Sequence, residues 1–112
     1  MTVKQICEKL ELRPLTGDCG MDREVKGAYI CDLLSWVMAH ASEGDVWITI
    51  QTHSNIIAVA TLVDLSAIII AEDAEVEEET IKKAIEEGIP VLVSDKNAFM
   101  IAKGLADMGL GN

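Results

Sequence analysis

The sequence predicts an α/β fold, a three-layer α/β/α sandwich around a largely parallel sheet of about five strands. Two observations carry this. Apolar, β-rich segments centred near Ile48, Ile69 and Leu92 recur at spacings of 21 and 23 residues, and a helical pattern fills each interval, which is the rhythm of βα units. Half of the 112 residues are apolar and a quarter are charged. That balance fills a core and still leaves a solvated surface, and the length suits one domain over 1–112.

The elements follow in chain order. Thr2 and Gln5 have capping-box spacing, and Val3, Ile6, Cys7 and Leu10 share one helical face, so the first helix runs to about Glu11. Leu12–Leu15 reads as a short strand, and Thr16–Glu24, with Gly17, Gly20 and two aspartates, as an exposed loop. Val25–Cys31 is the next strand. Asp32 is placed to cap a helix through about Ala41, and Glu43-Gly44-Asp45 breaks the chain before the strand Val46–Ile50. Thr52, Ser54 or Asn55 caps a helix from Ile56 to about Leu65, which is apolar nearly all round and is expected to be covered on two sides. Ala67–Ala71 is apolar throughout, as in a strand buried on both faces. Glu77, Glu78 and Glu79 open the clearest helix, at the end where the macrodipole favours acid; Ile81, Ala84 and Ile85 form its stripe and Gly88 stops it. After the strand Pro90–Val93, Ser94 or Asp95 caps a last helix with Phe99, Ile101, Ala102 and Leu105 facing inward.

Nine basic against 19 acidic residues leave a net charge of −10. Phosphate backbones and anionic lipid surfaces both demand clustered Lys and Arg, so neither nucleic acid nor a membrane surface is expected as a partner. The most apolar stretch, Ile56–Ile70, is interrupted by Asp64 and is shorter than the roughly 20 residues that span a bilayer. Cys7, Cys19 and Cys31 are odd in number and lack CxxC spacing, and no basic stretch with an apolar run opens the sequence. A reducing, cytoplasmic setting is therefore expected.

Glu72–Glu87 holds eight carboxylates and only Lys82 and Lys83. Their spacing suits a solvated helix face with i, i+4 pairs better than the converging loop oxygens of a divalent-cation site. Cys7 falls on the buried stripe of the first helix. Cys19, Cys31, His40 and His53 lack zinc or cluster spacing. Cys31 with His53 is the nucleophilic pair that the strand ends could bring together, and it is the basis of an alternative reading as a small enzyme or redox/metal carrier. Neither GxxxxGK[ST] nor GxGxxG occurs, so the equipment of a kinase or a dinucleotide enzyme is missing, and no catalytic residue, metal or cofactor is expected.

What remains is positional. Ligands of open α/β sheets lie beyond the carboxyl ends of the strands, where helix N-termini offer unpaired N–H groups. Thr52, His53, Ser54 and Asn55 follow one strand, Asp73 another and Ser94 a third. These six are the candidate ligand contacts, with capping as the competing role of Thr52, Ser54, Asn55 and Ser94. A small polar ligand such as an adenine nucleotide is the expected occupant, helped by Lys96, and by Arg23 or Lys26 if their loop folds inward. Trp36-Val37-Met38, Trp47 and the helix from Ile56 offer more apolar surface than one small sheet needs, which points to a homodimer.

Leu15-Thr16-Gly17, Arg23-Glu24-Val25, Gly27-Ala28-Tyr29-Ile30-Cys31-Asp32-Leu33-Leu34-Ser35, Gly44-Asp45-Val46-Trp47-Ile48-Thr49 and Asn55-Ile56-Ile57-Ala58-Val59-Ala60 together resemble the DRTGG domain family over nearly the whole chain. The resemblance is to its small stand-alone members from anaerobic bacteria and archaea, often encoded near iron-only hydrogenases. The N-terminal domain of HPr serine kinase is similar too, but the catalytic domain of that kinase has no counterpart here. The resemblance implies a mixed-sheet α/β/α sandwich that dimerises. It also implies a sensory or assembly role, since the domain accompanies CBS pairs in pyrophosphatases and precedes phosphotransacetylase, and it implies a hydrogenase-related protein partner. Where many relatives carry Gly-Asp-Arg and Thr-Gly-Gly elements, this chain has Gln51-Thr52-His53 and Ala71-Glu72-Asp73. The function expected is a non-catalytic regulatory or interaction module, homodimeric, that senses a small ligand.

Overall fold

The structure is a computed structural model that describes residues 1–110; the last two residues of the expected 1–112 domain lie outside the described residues. Among the described residues, strands β1 (Arg13–Pro14), β2 (Gly27–Ile30), β3 (Asp45–Thr49), β4 (Ala67–Ile70) and β5 (Val91–Val93) combine with helices α1 (Val3–Lys9), α2 (Leu34–His40), α3 (Asn55–Val63), α4 (Glu78–Glu87) and α5 (Ala98–Asp107). One sheet takes the strands in the order β1-β5-β4-β3-β2, with β1 antiparallel to β5 and every other pair parallel. The mixed, largely parallel five-stranded sheet is thus as expected.

Each step from β2 to β3 to β4 to β5 moves one place in the same direction. Because parallel crossovers are right-handed, the three connecting helices must lie on one face. Their side chains do so. Val37 of α2, Ile56 and Ala60 of α3 and Ala84 of α4 pack with Trp47, Ile68, Ile70, Val91 and Val93 in one core. The opposite faces of the same strands, Val46, Ile48, Ile69 and Leu92, are covered by Ile6 and Cys7 of α1 and by Ile101 and Leu105 of α5. The period-two alternation of the strands divides their side chains between two helical layers, which makes the sandwich.

Several expected roles move. The capping box forms, with the Gln5 amide donating to Thr2 Oγ1 at 3.2 Å and the Thr2 amide to Gln5 Oε1 at 2.8 Å. Helix α1 nevertheless stops at Lys9, because Glu11 takes a left-handed φ of 54° that swings the Leu12 amide back to the Cys7 carbonyl at 2.9 Å. Asp32 does not cap α2, whose N-cap is Leu33 without a side-chain bond. Its carboxylate accepts instead from Thr49 Oγ1 at 2.7 Å and the Ile50 amide at 3.0 Å, knitting the ends of β2 and β3 together.

Helix α5 is capped by Asn97, whose Oδ1 accepts from the Met100 amide at 2.9 Å, and not by Ser94 or Asp95. Residues 94–96 stay beside the loop after β4, where the carbonyls of Ser94 and Lys96 accept from the amides of Asp73 and Glu72 at 2.7 and 2.8 Å, so the helix begins later. With that start Ile101 and Leu105 face the sheet, while Phe99, two positions before Ile101, is 74% exposed and does not face inward. Ile85 is likewise turned out of the α4 stripe, and α3 leaves Leu62 open to solvent, so α3 is not covered on two sides. Trp47 is wholly buried and donates from Nε1 to the Cys31 carbonyl at 2.7 Å, which removes it from the apolar surplus.

The 16–24 loop is not merely an exposed excursion. Thr16 is buried and accepts from the Val91 amide at 3.1 Å, and a Cβ on Gly20 would lie 2.9 Å from the Gly88 carbonyl oxygen. Among the described residues Lys82 and Lys83 form no ion pair with the glutamates of α4, contrary to the i, i+4 expectation.

Candidate functional site

The carboxyl ends of β2, β3, β4 and β5 meet at one edge of the sheet, and the loops that follow them carry all six sequence-predicted contacts. Thr52 and Ser54 are half-buried, whereas His53 and Asn55 are exposed. The Thr52 carbonyl accepts from Thr80 Oγ1 at 2.7 Å, fastening this loop to α4. His53 does the capping that was expected of Thr52, Ser54 or Asn55. Its Nδ1 accepts from the Asn55 amide at 3.1 Å and its carbonyl accepts from the Ile56 amide at 3.1 Å. Ser54 occupies the N-cap position without a side-chain bond, while its carbonyl accepts from the Ile57 amide at 3.0 Å. The first three amides of α3, expected to be open to an anion, therefore all have partners within the loop. The Nδ1 bond leaves His53 its Nε2 for anything outside the protein.

Asp73 and Ser94 are brought together through the backbone by the 2.7 Å bond between them, but their side chains face different cavities. Ser94 is buried and lines a cavity of about 290 Å³ between α1 and α5, beside Lys9, Leu10, Lys96, Met100 and Lys103. Asp73 lines one of about 340 Å³ by α4, with Arg13, Leu15, Val76, Ile81 and Val93. Thr52, His53, Ser54 and Asn55 line neither.

The topology accounts for this. A crevice opens at a carboxyl edge where the strand order reverses and helices part to opposite faces. Here β2 to β5 progress in one direction without reversal, so the topology provides no such crevice beside the loop after β3. The cavities lie on either side of β5, where the progression ends and antiparallel β1 joins.

The cations also differ from expectation. Arg23 donates to the Leu65 carbonyl at 3.0 Å and stands 3.5 Å from Asp64, and Lys26 pairs with Glu43 at 3.3 Å. Both lie at the amino end of the sheet, away from the candidate contacts. Arg13, which is not among the expected cations, stands beside Asp73 at 3.0 Å. The signal for it was the strand at 12–15, since pairing Arg13 with Val93 puts it at the carboxyl end of β5. Cys31 and His53 do not pair. The Cys31 sulfur meets the amide of Leu33 at 3.4 Å, and the His53 ring is held by Asn55. Among the described residues no three His, Cys, Asp or Glu side chains are grouped as a metal site.

The loop after β4 has one further peculiarity. Glu72 and Asp73 both take left-handed φ values, 61° and 51°, and the Ala74 amide closes back onto the Ala71 carbonyl at 3.3 Å, as in a type I′ turn. Such a turn ordinarily takes glycine, asparagine or aspartate.

The model of the DRTGG domain matches residues 5–108. The chain belongs to the DRTGG domain family. The Glu72-Asp73 turn of this DRTGG domain thus has a glycine-type backbone without glycine. No curated protein matches the sequence. Among solved structures, the chain is similar to the CBS and DRTGG domains of the regulatory region of Clostridium perfringens pyrophosphatase, complexed with its activator diadenosine tetraphosphate. The TM-score is 0.75 at 16% identity, covering 91% of this chain and 44% of that one. The DRTGG domain described here thus spans less than half the length of that structure and shares its fold. Among the described residues no helix is long and apolar enough to cross a membrane.

Proposed function

We propose that this chain is a non-catalytic, homodimeric regulatory module that responds to a small nucleotide, with its ligand contacts drawn from Thr52, His53, Ser54, Asn55, Asp73 and Ser94 at the carboxyl edge of the sheet. The observation that carries the reading is membership of the DRTGG family over 5–108, a domain that in the pyrophosphatase neighbour stands in a regulatory region crystallised with a nucleotide activator. The edge supplies matching chemistry: the free Nε2 of His53, the Ser94 hydroxyl, and Arg13 and Lys96 as cations in a chain of net charge −10. Beyond a screening length of roughly 8 Å at physiological salt, that overall charge has little effect on an approaching phosphate. With no chemistry of its own to perform, the module delivers its response through a protein contact, and the hydrogenase-related partner implied by the resemblance is the first candidate.

The test is thermal unfolding with diadenosine tetraphosphate, ATP and AMP in turn. At least one nucleotide should raise the melting temperature, His53→Ala should abolish the rise without unfolding the domain, and Lys82→Ala should leave it intact. If no nucleotide shifts the parent protein, or both variants respond alike, the reading fails.

A further inference from the structure

We propose that the open edge of β2, together with the first turn of α2, is the surface on which a second copy of this chain docks about a two-fold axis. This rests on the homodimer reading above and assigns its surface.

The two edges of the sheet are built differently. β1 is two residues long and consists of Arg13 and Pro14, a charge and a residue without an N–H, both of which discourage strand addition. β2, at the other edge, is Gly27-Ala28-Tyr29-Ile30, with neither charge nor proline. The Cys31 amide donates to the Ile48 carbonyl at 3.3 Å, so by the alternation of a parallel ladder Ile30 turns its own N–H and C=O away from β3, toward the open side.

Apolar side chains continue from that edge. The Ile50 amide is bonded to Asp32, Leu33 follows Asp32 in sequence, and Trp36 stands one turn on, its amide donating to the Leu33 carbonyl at 3.0 Å. Leu33 is 60% and Trp36 53% exposed, and Ile30 and Ile50 are each about half exposed. By the alternation that puts Ala28 with α1 and α5 and Tyr29 with α2, Ile30 stands on the α1–α5 face of the sheet and Leu33 and Trp36 on the α2 side, so this edge is flanked by exposed apolar side chains on both faces.

Charge selects the occupant. Residues 27–41 contain no Lys or Arg and one carboxylate, Asp32, in a chain that is a quarter charged. That carboxylate is already engaged by Thr49 and Ile50. Two copies of net charge −10 repel, and they approach at least cost through the face that has been emptied of charge. A two-fold axis beside Ile30 lets its outward N–H and C=O bond their own mates antiparallel, with Leu33 and Trp36 closing over the pair from both sides. A basic partner would be drawn to the glutamates of α4 instead.

Light scattering and sedimentation equilibrium on the full chain, from 1 to 200 μM, test the assignment, with Leu33→Lys and Ile30→Lys as disrupting variants. Leu62→Lys and Phe99→Lys serve as controls, since those side chains are 73% and 74% exposed but stand on other helices. The parent chain should be a dimer whose dissociation constant rises at least 100-fold in each disrupting variant and is unchanged in the controls, and all four variants should keep the parent's circular dichroism. Trp36 emission should shift to the blue as the dimer forms, and Trp36→Phe should remove the shift. A dimer indifferent to Leu33→Lys and Ile30→Lys, or broken by a control, overturns this surface while leaving the homodimer reading standing. A monomer over the whole range overturns both.

Discussion

Thr80 Oγ1, wholly buried in the first turn of α4, donates to the Thr52 carbonyl at 2.7 Å and so ties the loop after β3 to the helix after β4. Replacing Thr80 by Val keeps the shape and removes the donor, leaving a half-buried carbonyl without a partner. The expected cost is about 1–2 kcal/mol in urea unfolding, with faster hydrogen exchange at Asn55 and Ile56. Unchanged stability would mean that water replaces the hydroxyl without penalty.

The left-handed turn after β4 yields a prediction of the opposite sign. A non-glycine residue in that conformation costs about 1–2 kcal/mol, and the added freedom of the unfolded glycine chain takes back about 0.4–1 kcal/mol, so Glu72→Gly should raise stability by roughly 0.5–1 kcal/mol. Glu72 is exposed and forms no ion pair among the described residues, so nothing offsets the gain. A lower melting temperature would refute the backbone argument.

Capping of α5 separates two neighbouring residues. Asn97→Ala should cost about 1 kcal/mol, the usual worth of an N-cap side chain, whereas Asp95→Ala should change little, because its 3.7 Å contact with Lys96 is exposed. Equal effects in parallel thermal melts would contradict the observed cap.

Cysteine reactivity follows from burial. Burial first, and the neighbouring Glu8 second, push the Cys7 thiol above its ordinary value, and its S–H is held by the Leu12 carbonyl at 3.0 Å. At pH 8 Cys7 should therefore alkylate at least tenfold more slowly than Cys19 or Cys31, read by mass spectrometry of the labelled peptides. The folded chain holds this proton to higher pH than the unfolded one. The thiol's contribution to stability is thus intact below the unfolded value and is lost as pH rises through the folded one.

Local sequence signals located the elements well where pattern and chemistry were both local. Thr2 with Gln5, the apolar run 67–70 and Gly88 as a left-handed stop are each legible in a few residues, and all are found in the structure. Roles set by partners distant in sequence were not legible. Asp32 looks like a cap until Thr49 is placed beside it, Ser94 looks like one until its carbonyl meets Asp73, and Arg13 is unremarkable until β1 is laid against β5. The candidate site suffers most, because the carboxyl-edge rule depends on strand order, and strand order is a property of pairings that no window of sequence contains. Trp36 and Trp47 make the same point, since one of two identical side chains is wholly buried and the other half exposed according to which neighbour closes over them.

The placement of β1 bears on how the chain reaches its native state. β2 to β5 pair with successive neighbours, so each closes a loop of about 20 residues, whereas β1 is secured by Leu15 and Thr16 bonding to Val91, with the Thr16 and Val91 partners 75 residues apart. Closing that span carries a larger entropic toll and brings little reward until β5 is in position. The parallel core therefore assembles first and the antiparallel strand docks late. Weakening Thr16 should then hasten unfolding far more than it slows folding, which makes this short N-terminal strand a latch on the protein's lifetime and not a seed of its formation.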